Sequence, residues 1–128
     1  MTVKRNRILI VEDEESLLKL ESILLSSKGY RVVGVADGVA AIDELSRNCP
    51  DLVILDVMLP GIDGFEVCRR IKTDPVTCKV PVIILTARKN TQDMDRGKDA
   101  GADAYITKPF KSAQLIGTIE RILSSVPE

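Results

Sequence analysis

Residues 52–64 read Leu-Val-Ile-Leu-Asp-Val-Met-Leu-Pro-Gly-Ile-Asp-Gly, and the rest of the chain is organised around this stretch. Its first four residues are aliphatic, too few for a helix and typical of a strand that is covered on both faces. Asp56 follows directly, and a proline and two glycines then stop regular structure within eight residues. Taken alone, Asp56 fits an ordinary solvated aspartate equally well. The stretch predicts a carboxylate at the tip of a buried strand, beside a tight loop.

Short aliphatic runs of the same kind recur along the chain, and segments with helical spacing separate them. The predicted strands cover residues 8–11, 31–35, 52–55, 80–85 and 104–106. The predicted helices cover residues 14–28, 39–47, 65–72, 91–100 and 111–126. Five alternating strand-helix units predict an α/β fold, a flavodoxin-like (βα)5 three-layer sandwich with a five-stranded parallel sheet in the order 2-1-3-4-5.

The helix over residues 91–100 has the weakest apolar pattern of the five. Met94 and a few alanines are its only apolar residues, and Gly97 lowers its helix propensity further. We therefore expect this helix to be mobile or loosely packed.

Length and composition indicate one ordinary globular domain, residues 1–128, with its core at about residues 7–125. The chain has 128 residues, of which 45% are hydrophobic and 29% charged, which excludes a disordered chain. The net charge is −1 and only four residues, two Tyr and two Phe, are aromatic. Nucleic acid is therefore not expected as a direct partner.

Compartment and redox state follow from what the sequence lacks. No apolar run approaches the ~20 residues that cross a bilayer, so no membrane association is expected. The three cysteines have no metal-binding spacing, and no export signal is visible. These features predict reduced thiols and a cytoplasmic location. The absence of histidine excludes catalytic triads, imidazole metal sites and a phosphohistidine on this chain.

Polar side chains stand at the carboxyl ends of the predicted strands, where open parallel sheets bind their ligands. Glu12 and Asp13 follow the first strand and Asp56 the third, so three carboxylates should converge. A cluster of oxygen ligands favours a hard cation such as Mg²⁺. Thr86 and Lys108 end the fourth and fifth strands, and a hydroxyl with an ammonium suits a phosphoryl group.

Each of these residues also has an ordinary interpretation. Glu12 and Asp13 are the kind of acids that a helix N-terminus favours. Thr86 fits a helix cap, and Lys108 fits a surface lysine. Their common position at one end of successive strands favours a functional site over a set of coincidences.

Four segments together resemble the response regulator receiver domain of two-component signalling, from about residue 7 to residue 125. They are ILIVEDE at residues 8–14, DLVILDVMLPGIDGFEVCRRIK at 51–72, PVIILTAR at 81–88 and GADAYITKPF at 101–110. The resemblance implies a phosphoacceptor signalling domain. Because no more than residues 126–128 follow the last predicted helix, we expect the stand-alone, single-domain type. A piece of a longer regulator has the same appearance.

The resemblance implies a Mg²⁺ site around the acceptor. Asp13 and Asp56 are expected to bind the ion directly, and Glu12 through a coordinated water. The backbone carbonyl of Met58 is expected to supply another oxygen. Glu12 departs from the family in being glutamate rather than aspartate, a change that the reach and charge of its carboxylate should tolerate.

The resemblance also assigns the phosphoryl chemistry and the switch. Asp56 is expected to be the phosphoacceptor, with Lys108 neutralising the phosphoryl group and Thr86 donating a hydrogen bond to it. Thr86 and Tyr105 are expected to move together as the switch, and the Lys108–Pro109 bond to be cis. Lys98 departs from the apolar residue that members often carry in the fourth helix.

The partners are likewise implied by the resemblance. A sensor histidine kinase or a histidine phosphotransfer protein is expected to donate the phosphoryl group. An unknown downstream protein is expected to bind the surface of helix 4, strand 5 and helix 5. The chain is expected to be a monomer or a weak phosphorylation-dependent dimer, and no enzyme beyond its own phosphorylation and autodephosphorylation.

Two other classes of function are weighed against this one. Phosphohydrolases of the haloacid-dehalogenase type also use an aspartate with Mg²⁺, but they place a second aspartate two residues later, where this chain has Met58. A degenerate receiver would bind its partner without phosphorylation. The presence of Asp13, Asp56, Thr86 and Lys108 argues against that without settling it.

Overall fold

A computed structural model describes residues 6–125 of the chain, in which five strands and five helices alternate. The strands are β1 (Arg7–Val11), β2 (Arg31–Val35), β3 (Leu52–Leu55), β4 (Val82–Thr86) and β5 (Ala104–Thr107). The helices are α1 (Glu15–Ser27), α2 (Gly38–Arg47), α3 (Gly64–Thr73), α4 (Thr91–Asp99) and α5 (Ser112–Ser125). The last residue of the fifth predicted helix, Val126, lies outside the described residues.

The strands form one parallel sheet in the order β2-β1-β3-β4-β5. This confirms the predicted flavodoxin-like α/β fold and its strand order. In the register, Ile10 of β1 pairs with Ile54 of β3, and Ile54 pairs with Ile83 of β4. Because all strands run in one direction, their carboxyl ends share one edge of the sheet.

Helices cover both faces of the sheet, which explains why the central strands are apolar throughout. On one face α1 and α5 pack over the alternate residues Ile8, Ile10, Leu52 and Ile54. On the other face α2 and α3 pack over Leu9, Val11, Val53 and Leu55. The alternation of side chains along each strand therefore divides the core into two layers.

The fourth strand begins two residues later than predicted, at Val82. Val80 instead donates its amide to the carbonyl of Thr77 in a preceding turn. Pro81 has no amide to give to the sheet, although its carbonyl accepts from Val53 at 3.0 Å. The valine and proline thus lead into the strand without belonging to it.

Helix α4 forms as predicted, and of its residues only Asp93 and Gly97 are buried. A Cβ at position 97 would lie 3.0 Å from the Ile84 side chain and 3.0 Å from the Tyr105 ring. Gly97 therefore weakens the helix locally but allows it to approach β4 and β5 closely. Lys98 is exposed, consistent with a sparsely packed surface. Mobility of α4 stays a prediction.

None of the helices within residues 6–125 is long and apolar enough to cross a membrane. Cys49, Cys68 and Cys78 are all free thiols.

Candidate functional site

The hydrogen-bond ladder of the sheet continues one residue beyond the strands and places the polar side chains at its edge. The amide of Glu12 donates to Val35 at 3.0 Å, and the amide of Asp56 donates to Val11 at 3.0 Å. Both residues therefore keep extended geometry. On the far side of the sheet, the amide of Lys108 donates to Thr86 at 2.8 Å.

The Lys108 ammonium lies between two carboxylates. Its Nζ is 2.9 Å from Oδ2 of Asp56 and 2.5 Å from Oε1 of Glu12. The three side chains are mostly buried, with 13% of Lys108, 7% of Asp56 and 3% of Glu12 exposed. Buried charges persist when they are paired, and this arrangement supplies one cation to two anions. The structure thus brings Glu12, Asp56 and Lys108 together at the edge of the sheet.

Burial and pairing act in opposite directions on the protonation of this group. Burial raises the pKa of Glu12, and the hydrogen bond from Lys108 only partly offsets it. Burial also acts to lower the pKa of Lys108, but the hydrogen bonds to Glu12 and Asp56 outweigh it and the pKa is raised overall. Lys108 is therefore a cation throughout the neutral range.

Glu12, Asp13 and Asp56 each offer a carboxylate oxygen, and these atoms lie within 4.8 Å of one another. Asp13 is exposed, whereas the other two carboxylates are buried. An all-oxygen set at this spacing fits a hard cation such as Mg²⁺ better than a metal that prefers nitrogen or sulfur. The acidic cluster can hold a metal.

The loop after β3 holds the Asp56 carboxylate in place. Oδ1 of Asp56 accepts a hydrogen bond of 2.9 Å from the amide of Met58. Gly64, the first residue of α3, lies against this loop so closely that a Cβ would come within 2.3 Å of the Val57 backbone. Asp63 caps the same helix by accepting from the amide of Phe65 at 2.7 Å. The two aspartates of the opening stretch thus have different environments, and only Asp56 lies in the cluster.

The family model that matches this chain is the response regulator receiver domain, over residues 8–120. The chain belongs to this family. Signalling by phosphorylation is the general function of such domains in two-component systems, and the resemblance seen in the sequence is confirmed.

Two curated relatives show how the receiver domain occurs in longer proteins. This chain is 40% identical over 119 residues to the DNA-binding response regulator MtrA of Mycobacterium tuberculosis (strain ATCC 25618 / H37Rv), and the match covers 93% of this chain and 51% of MtrA. It is 39% identical over 119 residues to the transcriptional regulatory protein CseB of Streptomyces coelicolor, covering 93% of this chain and 50% of CseB. The chain spans about half the length of these relatives.

Solved structures show the same fold. A response regulator from Chloroflexus aurantiacus J-10-fl superimposes with a TM-score of 0.90 at 36% identity, covering 94% of this chain and 99% of that one. The receiver domain of a sensor histidine kinase from Pseudomonas aeruginosa PAO1 superimposes with a TM-score of 0.88 at 35% identity, covering 95% and 100%. That second structure has a magnesium ion coordinated in its active-site cleft.

Thr86 and Tyr105 of the receiver domain are connected through the backbone of Arg88. Thr86 is fully buried, and its hydroxyl accepts a long hydrogen bond of 3.4 Å from the amide of Arg88. The hydroxyl of Tyr105 donates to the carbonyl of Arg88 at 2.6 Å. Within residues 6–125, no hydrogen bond joins the Thr86 side chain to Asp56. The Lys108–Pro109 bond is cis, as predicted.

Sequence reasoning missed two residues of this region. Arg88 has no residue-type signature, because it acts through its backbone. Glu21 lies in α1 and is buried with 1% of its surface exposed. Its spacing from Leu18 and Leu25 places it on the apolar face of the helix and would have located it. Leu20, which follows the same leucine pattern, is instead 56% exposed.

Proposed function

We propose that this receiver domain accepts a phosphoryl group on Asp56 from a phosphohistidine of a sensor histidine kinase or a histidine phosphotransfer protein. The contact of the Lys108 ammonium with both Asp56 and Glu12 is the observation that carries the proposal. A cation held 2.9 Å from the acceptor oxygen offsets the negative charge that arrives with the phosphoryl group. The chain has no histidine, so the donor is a separate group.

In the transfer step, a carboxylate oxygen of Asp56 forms a bond to phosphorus while the bond from phosphorus to the donor nitrogen breaks. The electron pair of that bond stays on the imidazole. The amide of Met58, which donates to Oδ1 of Asp56, and the ammonium of Lys108 fix the orientation of the carboxylate. In the reset, water attacks phosphorus and the Asp56 carboxylate leaves, which returns the domain to its starting state with release of phosphate.

Mg²⁺ is proposed as the cofactor, held by Asp13 and Asp56 directly, by Glu12 through water and by the backbone carbonyl of Met58. When bound, the ion supplies positive charge to the phosphoryl oxygens. The acidic cluster supports this assignment through its oxygen-only ligands and its short spacing. Titration of the wild type and of ligand variants with Mg²⁺ tests whether these residues bind the ion.

Asp13→Asn is expected to weaken Mg²⁺ binding by about tenfold or more, because the amide removes one of the anionic ligands. The affinity is measured by isothermal titration calorimetry at constant ionic strength. Asp43→Asn is the matched control, since Asp43 is an exposed aspartate of α2. Equal affinities for the wild type and Asp13→Asn would exclude Asp13 as a ligand.

The proposed switch runs from Thr86 to the surface of α4, β5 and α5. If Thr86 donates its hydroxyl to a phosphoryl group, the long contact with the Arg88 amide is lost, and the support of Tyr105 by the Arg88 carbonyl changes with it. The Tyr105 ring lies against Gly97, so its movement also changes the position of α4. The surface then has a different preference for its partner.

A groove beside Lys108 is proposed as the docking surface of the phosphodonor. It has a volume of about 710 Å³ and is lined mainly by apolar residues of α1 and of the segment after β5, among them Leu17, Leu20, Ile23, Leu24 and Phe110. Lys108 also lines it. A protein that delivers a phosphoryl group to Asp56 has to rest beside the site, and this apolar groove adjoins it. Leu20 and Ile23 are 56% and 61% exposed.

Ile23→Glu is expected to slow phosphotransfer from a protein donor by about tenfold or more, because it places a charge in the apolar contact. Phosphorylation by a small phosphodonor should be unchanged, since that reaction needs no docking. Both rates are measured by intact mass. Val76→Glu, at a residue 75% exposed in the turn that follows α3, is the control and should leave both rates unchanged. A loss of both reactions in Ile23→Glu would indicate damage to the fold.

The output of the domain is proposed to be a protein contact rather than a nucleic-acid contact. The names of MtrA and CseB describe DNA-binding or transcriptional regulators, and this chain matches half of each. Its own net charge of −1 provides little attraction to phosphates. We place the reaction in the cytoplasm, where free thiols such as Cys49, Cys68 and Cys78 persist.

The experiment that tests the function is phosphorylation of the purified chain. The protein is incubated with Mg²⁺ and a small phosphodonor and then weighed intact. One phosphoryl group per chain, lost again with time, is the expected result. The absence of any adduct, with a known receiver domain labelled in parallel, would refute the proposal. Rapid multiple turnover of a phosphomonoester would instead identify a hydrolase.

A further inference from the structure

Glu21 of α1 is a carboxylic acid in the core without a partner. Only 1% of its surface is exposed, and neither carboxylate oxygen has a hydrogen-bond partner in the described structure. The other buried acids are bonded: Glu12 and Asp56 to Lys108, and Asp93 to Asn90. An unpaired buried carboxylate is costly, so its environment favours the neutral form.

Glu21 lies on the face of the sheet that leads to the phosphorylation site. Glu21 and Leu25 are the buried residues of α1, and Leu25 belongs to the same core cluster as Ile10 and Ile54, on the face shared with α5. Glu12 and Asp56 come two residues after Ile10 and Ile54, so they continue that face toward the edge of the sheet. Because α1 runs back from that edge, Glu21 lies one turn closer to the site than Leu25.

Four charged groups around the site act on the carboxyl group of Glu21. They are Glu12 after β1, Asp56 after β3, Lys108 after β5 and Glu14 at the start of α1. Burial, reinforced by the negative charge of the nearby Glu12, raises the pKa of Glu21 to about 7. Both the neutral and the charged form are therefore accessible near neutral pH.

We propose that Glu21 takes up a proton when Asp56 is phosphorylated and releases it when the phosphoryl group leaves. The inference rests on the proposed function. Phosphorylation replaces the single negative charge of the Asp56 carboxylate with nearly two on the phosphoryl group, so the site gains about one negative charge. A charged Glu21 near the site is repelled and a neutral one is not, so the phosphorylated state favours the neutral acid. The proton comes from solvent and returns to it, separately from the P–N and O–P bonds that break and form at Asp56.

The coupling is reciprocal, because two events at separate positions that affect one another do so by the same factor in both directions. Protonation of Glu21 therefore stabilises the phosphorylated state. Lower pH favours phosphorylation through this residue, and higher pH opposes it. Glu21 thereby makes the phosphorylated fraction depend on the pH of the surrounding solution.

The test compares the wild type with Glu21→Gln, which keeps the shape but cannot ionise. The phosphorylated fraction is measured by intact mass at steady state, with one small phosphodonor and saturating Mg²⁺, at about pH 5.5 and about pH 8.5, on either side of the Glu21 titration. The two proteins should agree at the lower pH. At the higher pH the ratio of phosphorylated to unphosphorylated protein should be about tenfold lower in the wild type than in Glu21→Gln, a value within the usual range for coupled sites.

Infrared difference spectra provide a second readout that a structural role would not produce. At about pH 8, phosphorylation of the wild type should create the absorption of a protonated buried carboxyl group, which Glu21→Gln should lack. Glu120→Gln changes an exposed glutamate of α5 and should behave as the wild type in both measurements. If Glu21→Gln does not fold, Glu21→Leu has the same expected results.

The inference is overturned if the wild type and Glu21→Gln differ in phosphorylated fraction by the same factor at both pH values. It is also overturned if phosphorylation of the wild type produces no absorption of a protonated carboxyl group. Failure of the proposed function has a different appearance, since the wild type and all variants would then lack any phosphoryl adduct at either pH. An adduct with no pH-dependent difference overturns only the role of Glu21.

Discussion

Asp56→Asn is expected to lower the rate of phosphorylation by a small phosphodonor by about a thousandfold or more, because an amide oxygen is a much weaker nucleophile than a carboxylate. The substitution keeps the size of the side chain and its contact with the amide of Met58, which donates at 2.9 Å. The loss would therefore report the chemistry of the acceptor rather than the shape of the loop. Intact mass after incubation with Mg²⁺ and the donor measures it.

Asp63→Asn is the matched control in the same loop. Asp63 is exposed and caps α3 through its Oδ1, and asparagine serves equally well as a cap. This variant should be phosphorylated at the rate of the wild type. An adduct that survives Asp56→Asn but not Asp63→Asn would transfer the acceptor role to Asp63 and contradict the proposed site.

Glu21→Leu is expected to gain stability over the wild type as the pH rises. The difference in free energy of unfolding between the variant and the wild type should be about 3 kcal/mol larger at about pH 8 than at about pH 4.5, which is the shift of the Glu21 pKa expressed as energy. The pKa is 4.5 for an ordinary glutamate and about 7 in this fold. The unfolded chain therefore releases the proton first, and the folded wild type becomes less stable as pH rises through that window. Leucine has no proton to release and avoids this loss.

Urea unfolding at a series of pH values, followed by circular dichroism, measures the difference between Glu21→Leu and the wild type. The difference should grow between about pH 4.5 and pH 7 and then level off. The titration of Glu12 occurs in both proteins and largely cancels in the comparison. A constant difference across this range would show that Glu21 ionises in the folded protein as it does in the unfolded chain.

The fold and the position of the acidic cluster could be predicted because both follow from repetition. Alternating short apolar runs and amphipathic segments require a parallel sheet, and the carboxyl ends of parallel strands meet at one edge. The sequence therefore predicts that Glu12, Asp56 and Lys108 lie at the same edge of the sheet. The functional roles of these residues, and those of Asp13, Met58, Thr86 and Tyr105, stay predictions.

The rest of the site could not be predicted for two physical reasons. The spacing of Glu21 from Leu18 and Leu25 indicates the apolar face of α1, but the burial of its carboxylate without a hydrogen-bond partner depends on tertiary packing. Leu20 shows the converse, an apolar residue left exposed beside the site. The connection of Thr86 with Tyr105 runs through main-chain atoms, which carry no information about residue type.

That connection has a consequence for how far position 88 can vary. Arg88 meets Thr86 with its amide and Tyr105 with its carbonyl, and every amino acid except proline has both groups. Both hydrogen bonds therefore depend on the backbone of Arg88, while its guanidinium lies 3.6 Å from the carboxylate of Asp93 in α4. Substitution of Arg88 by any residue other than proline would therefore keep both backbone hydrogen bonds while changing the charge beside Asp93.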